Sequence, residues 1–185
     1  MMLILRLTDL IHKTTRKAID ILRYCYFKVQ MGHIGKGSYI KPGVRITGNP
    51  KRIFIGKKFK IWHNSVISVG KGKILFGDDG LIGVGSFVSA GNSQIIIGNG
   101  VAIAPHCNII AYSHHYKENE AYVNCYKEGD IIIGNNVLIG AAVIILPNVN
   151  IGNNSVIAAG CVVNKDVPDN TMVGGIPMRV IRTIK

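Results

Sequence analysis

No apolar run in this 185-residue sequence reaches the roughly 18 residues that a membrane-spanning helix requires. The stretch Met1–Leu5 is too short for the core of a signal peptide. Cysteine is sparse, and Cys25, Cys107, Cys125 and Cys161 show neither CxxC nor metal-ligand spacing, which argues for reduced thiols. Aromatic residues are few at 7%, with one tryptophan, so any core must be aliphatic. Acidic residues are scarce in one region: residues 1–60 hold 14 Lys+Arg against 2 Asp+Glu, whereas 61–185 hold 8 against 8, so the net charge of +12 belongs to the first third. No basic run is interleaved with aromatics and no nucleic-acid-binding motif occurs, which argues against nucleic acid as a partner. An anionic membrane surface or a pyrophosphate-linked substrate suits the charge better. These absences predict one cytoplasmic domain, free or held at the inner face of a membrane.

What is present is a period of six. Ile133, Ile139, Ile145, Ile151, Ile157 and Val163 fall six residues apart, a spacing that is neither helical nor a plain strand alternation. Four places after each aliphatic stands a small or β-branched residue: Val137, Val143, Val149, Ser155 and Cys161. A chain that turns one aliphatic inward every six residues reads as a parallel β-helix, three hexads to a triangular coil. Irregular hexads begin at Ile34, Ile40 and Ile46. After shifts of three residues they resume at Ile55, Ile61 and Ile67, then at Phe76, Ile82 and Val88, then at Ile97, Ile103 and Ile109. The expectation is one solenoid with extra residues at its corners, over about 31–172. The basic cluster Lys51, Arg52, Lys57, Lys58 and Lys60 straddles one of those corners.

Before the solenoid, Leu3 to Gln30 contains no Gly or Pro. Apolar Leu3, Leu7, Leu10, Ile11, Ala18, Ile21, Leu22, Cys25 and Val29 recur among basic Arg6, Lys13, Arg16, Lys17, Arg23 and Lys28. This predicts an amphipathic basic helix over 1–30, interrupted near Thr14 and Thr15. Such a helix either covers the open end of the solenoid or makes a peripheral membrane contact.

The repeat stops after Ile109 and returns at Ile133. Residues 111–130 are polar and aromatic, a long loop on a regular scaffold, where function is commonly carried. At its start stand His114 and His115. An imidazole suits proton removal near neutral pH, and a solvated loop pair is the plain alternative. His106, His114 and His115 could also converge on a metal, although no further histidine on a later coil would complete a zinc site between subunits. The reading adopted is no metal.

The hexads, the His-bearing loop and the ending Asn164–Asn170 with Gly174-Gly175-Ile176-Pro177-Met178-Arg179-Val180-Ile181-Arg182 resemble the hexapeptide-repeat acyltransferases, specifically their sugar and polysaccharide O-acetyltransferase branch. The resemblance spans about 34–182. It implies an all-β fold, a left-handed parallel β-helix preceded by the helical segment, assembled as a homotrimer. Acetyl-CoA would lie between subunits, its pantetheine arm along Gly140, Ala141, Ala142, Ala159 and Gly160. Its phosphates would meet Lys165, Arg179 and Arg182, and the Gly175–Pro177 turn would close over the adenine in a tail of residues 173–185. The catalytic base falls on His114 or, one register on, His115. Substrate contacts are expected at Ser86, Asn92 and Tyr116. The implied reaction is direct acetyl transfer to a sugar hydroxyl of a surface polysaccharide or its precursor. Transfer to an amino sugar, to serine or to a xenobiotic is the alternative. A γ-carbonic-anhydrase-like metal enzyme and a non-catalytic solenoid are the other classes.

Overall fold

The computed structural model describes residues 2–184. A single helix, α1 (Met2–Gln30), precedes six triangular coils whose sides form three parallel sheets. Sheet I stacks His33–Ile34, Ile53–Ile55, Lys73–Phe76, Gln94–Ile97, Ile131–Ile133 and Val149–Ile151. Sheet II stacks Tyr39–Ile40, Lys60–Ile61, Leu81–Ile82, Ala102–Ile103, Leu138–Ile139 and Val156–Ile157, then adds Thr171–Gly174 and the antiparallel Arg179–Thr183. Sheet III stacks Arg45–Gly48, Val66–Val69, Phe87–Ser89, Asn108–Ile110, Ile144–Ile145 and Val162–Val163. The winding is that of a left-handed parallel β-helix.

The period of six becomes three columns of aliphatic side chains. Ile34, Ile55, Phe76, Ile97, Ile133 and Ile151 are register partners up sheet I, each buried. Ile61, Ile82, Ile103, Ile139, Ile157 and Val173 climb sheet II in the same way. The residues four places on, among them Ser65, Ser86, Cys107, Val143 and Cys161, also point inward. At the lower end α1 covers the open core with Phe27, and Met31 follows it inside. Arg23 fastens the helix by donating to the carbonyls of Ile40 and Lys41, both at 2.9 Å, and Lys41 reaches Asp20 at 2.7 Å.

Two details differ from the sequence-based expectation. Helix α1 runs unbroken through Thr14 and Thr15, since β-branched residues cost a helix only tenths of a kcal/mol each. The basic cluster is divided between two corners, with Lys51 and Arg52 before the strand Ile53–Ile55 and Lys57 and Lys58 after it. The side chains of residues 2–13 and of Arg16 lie outside the described residues, and with them the expected positions Leu3, Leu7, Leu10, Ile11, Arg6, Lys13 and Arg16. Among the described residues no helix is long and apolar enough to cross a membrane.

The corner between sheets I and II is closed by a side-chain ladder. Asp78, Asn99, Asn135, Asn153 and Asp169 each accept, through Oδ1, the backbone N–H of the residue one coil below, at 2.7–2.8 Å. A glycine at the strand exit immediately precedes each of these N–H donors. At Gly98 a Cβ would stand 2.7 Å from the backbone of Gly134, so glycine is what lets neighbouring coils close to the β-sheet spacing. Replacing Asn135 with Ala leaves the Asn99 N–H to solvent and should cost about 1 kcal/mol, measurable as a lower denaturant midpoint.

Candidate active site

The three extra residues of the early coils all sit at the corner between sheets III and I, after Ile46, Ile67 and Val88. The long loop leaves from that corner after Ile109. Its base is an antiparallel hairpin in which Tyr112, Ser113 and His114 pair with Glu128, Lys127 and Tyr126. The hairpin lies down on the coil below. The Tyr112 ring occupies the space a side chain on Gly91 would need, with Cδ1 at 2.8 Å from that position, and its hydroxyl meets the Ser89 hydroxyl at 3.3 Å. Asn92 donates to Glu128 Oε1 at 2.6 Å, and Asp130 accepts the Gln94 N–H at 2.7 Å.

His114 is exposed yet held. Its Nδ1 is 2.8 Å from the Tyr122 carbonyl oxygen. A carbonyl can only accept, so in the neutral imidazole Nδ1 carries the proton and Nε2 has the lone pair. The ring also packs on Tyr126 at 4.3 Å between centroids. His115 contributes to the hairpin through its backbone N–H, which donates to Cys125 at 3.0 Å. Beside the histidine, Gly91, Asn92, Tyr112, Tyr126 and Glu128 line an open cleft of about 340 Å³.

The loop has its own small interior. Cys125 is 3% exposed and its thiol donates to Glu120 Oε2 at 3.4 Å. Lys117 beside Glu120, then the Cys125 thiol and the charge of His115, hold that carboxyl below the usual range. Burial, and next the Glu120 carboxylate, push the Cys125 thiol up. Burial likewise raises Cys107 and Cys161. Thiols held protonated are poor nucleophiles, so these three offer no acyl-cysteine route.

The expected cofactor residues gather in part. Gly140, Ala141 and Ala142 form the corner between sheets II and III, with Ala158, Ala159 and Gly160 one coil above. The Gly160 N–H donates to the Ala141 carbonyl at 2.8 Å. A Cβ on Gly140 would collide with Ala159 at 2.5 Å, whereas one on Gly160 would meet nothing within 4 Å. The edge is thus a run of backbone with no side chain longer than a methyl group. Gly175 and Pro177 continue it as an exposed turn. Arg179 pairs with Gly174 at the same edge, and Arg182 pairs with Met172 further along that strand. Lys165 stands elsewhere, on the turn between Val162–Val163 and Val167, which bridges to Ile151 of sheet I.

Of the expected substrate residues, Asn92 lines the cleft and Tyr116 is 73% exposed, packed on Tyr122 at 5.9 Å. Ser86 is a correction. It is 1% exposed, its hydroxyl donates to the Ala104 carbonyl at 3.4 Å and accepts the Cys107 N–H at 3.2 Å, and it presents nothing to an acceptor. His106 belongs to the corner between sheets II and III, away from the hairpin, so the three-histidine arrangement does not assemble within the chain. Tyr112, Tyr126 and Glu128 went unrecognised in the sequence, where two three-residue strands are too short to leave a periodic signal.

The six-repeat bacterial transferase hexapeptide family matches residues 130–165. The galactoside O-acetyltransferase of Escherichia coli is 45% identical over 95 residues, 49% of this chain and 44% of that protein. A hexapeptide-repeat-containing acetyltransferase of Vibrio cholerae, solved with acetyl coenzyme A, is 30% identical, covers 89% of this chain and 78% of its own, and superposes with a TM-score of 0.61. The chain belongs to the hexapeptide-repeat acetyltransferase family. Within that fold, a variant of AntD, an N-acyltransferase of Bacillus cereus solved with dTDP and coenzyme A, is 26% identical over 85% of this chain and 87% of its own, with a TM-score of 0.79. The chain spans about half the length of the curated relatives it matches.

Proposed function

We propose that this hexapeptide-repeat protein transfers an acetyl group from acetyl-CoA to a sugar hydroxyl, with His114 as general base and no covalent enzyme intermediate. The observation that carries the reading is an imidazole whose tautomer is fixed by the Tyr122 carbonyl, together with an edge stripped of side chains at Gly140–Ala142 and Ala158–Gly160. The bare edge leaves backbone groups open to a pantetheine amide, and Arg179 at its upper end supplies charge for phosphates. The Nε2 lone pair takes the acceptor O–H proton as that oxygen forms its bond to the thioester carbonyl carbon. When the C–S bond breaks, the imidazolium returns the proton to the departing thiolate, giving the acetyl ester and CoA.

Hairpin and bare edge occupy different corners of one prism, on either side of sheet III. A complete site therefore needs a neighbouring copy, which supports the homotrimer. Leu138, Ile176, Val180 and Ile181 are 50–74% exposed, apolar surface that such a neighbour would cover.

The acceptor class rests on the cleft beside His114, where two tyrosine rings and the Asn92–Glu128 pair suit a ring with hydroxyl groups, and on the galactoside relative. Transfer to an amine of a nucleotide-linked amino sugar is the second reading, favoured by the likeness to AntD. The test is acetyl-CoA with a panel of galactosides, glycans, a dTDP-amino sugar, serine and chloramphenicol, followed by release of the CoA thiol. Release with glycan hydroxyls is expected. Turnover confined to the amino sugar would install the second reading, and turnover confined to serine or chloramphenicol would remove the sugar altogether.

A further inference from the structure

The side of α1 turned away from the solenoid is apolar and uncovered. Leu22 is 70% exposed and Val29 76%, while Ile19 at 48% and Tyr26 at 59% stand on the margin nearest the first coils, bordering grooves against Trp62 and Val44. They share a face with Ala18 and Cys25 at helical spacing, opposite the buried Phe27. The sequence continues that stripe at the same spacing through Ile11, Leu7 and Ile4. From Ile4 to Val29 the stripe holds no charged residue. Buried helices lack charge in this way, yet from Ala18 to Val29 the face lies open to solvent.

Its surroundings are basic. Lys17 and Lys28 flank the stripe on α1 itself, and Lys51 crosses to the Val29 carbonyl, donating at 2.6 Å. Asp20, one of two acidic residues among the first 60, is engaged by Lys41. We infer that this face of α1 docks the protein on an anionic lipid surface, the stripe entering the headgroup boundary while the lysines meet lipid phosphates. Charge decides between occupants. A second copy seated on the same face would bring two strongly basic ends together, whereas acidic headgroups neutralise them. Assembly adds to the effect, because coils stacked along parallel axes would turn every copy's α1 toward the same end and give one multivalent surface.

The inference is independent of the transfer reaction, and its test separates the two. Full-length protein is sedimented with phosphatidylcholine vesicles carrying roughly 30 mol% phosphatidylglycerol, and with phosphatidylcholine alone. Binding is expected to the anionic vesicles, to weaken on raising salt to about 0.5 M, and to fall at least about tenfold in L22E/V29E, a variant whose circular dichroism and transfer to a soluble acceptor stay unchanged. Absence of binding at low salt, or equal binding by the variant, would overturn it. So would a doubling of the solution mass that L22E/V29E reverses, since a second copy would then be the occupant.

Discussion

Replacing His114 with alanine should lower kcat for acetyl transfer by about 10²–10⁴-fold, the range for losing a positioned general base, with coenzyme A binding essentially kept. The pantetheine and phosphate contacts fall to the bare edge and Arg179, and a neighbouring copy's imidazole meets only the reacting end, so its removal spares most of the cofactor's contacts. His114→Asn sharpens the test. An asparagine amide can still donate to the Tyr122 carbonyl that now accepts from Nδ1, which preserves the hairpin, but it has no nitrogen lone pair with which to take a proton. Both variants should therefore be equally inactive, with the asparagine form melting closer to wild type. His115→Ala should retain most activity, because the hairpin uses that residue's backbone N–H. Normal turnover in His114→Asn would end the base assignment. Loss confined to His115→Ala would move it by one residue.

The difference between what was legible in the sequence and what was not follows from periodicity. An inward aliphatic every six residues must recur if the core is to stay filled. Ile34, Ile55, Phe76 and Ile97 therefore fall in one column even though three-residue insertions separate the coils. The hairpin fills no such column. Its two strands are three residues each, so neither its pairing nor the Tyr122 carbonyl that orients His114 left a periodic trace. Ser86 illustrates the other failure. It stands four places after Ile82, the slot also held by Ser65 and Cys107, which point inward and are buried. Counting hexads gave its height on the prism, and the small-residue rule already assigned it to the inside. Lys165 and Arg179 look equivalent as basic residues near the end of the chain, yet the turn at Val163 sends one to the corner between sheets III and I and the pairing with Gly174 sends the other to the bare edge.

The second large effect is on stability, and its size depends on position along the prism. Ile103 is 0% exposed and stands midway in its column, paired with Ile82 below and Ile139 above. Truncation to alanine should cost about 2–5 kcal/mol, since a rigid interior closes only partly over the lost methyl groups. In a stacked array each coil is stabilised chiefly by its two neighbours, so damage in the fourth coil weakens the link between the halves as well as the coil itself. Trp62, the sole tryptophan, lies in the second coil and reports on the lower half, while circular dichroism reports on the whole. For Ile103→Ala at fixed protein concentration, which matters for any oligomer, the fluorescence and dichroism transitions should separate. Val163→Ala serves as the contrast. Its strand ends sheet III and pairs on one side, with Ile144–Ile145, so the loss should be smaller and the two transitions should stay superimposed. If the transitions coincide for Ile103→Ala too, the coils unfold as one cooperative block, and the nearest-neighbour picture of this prism fails.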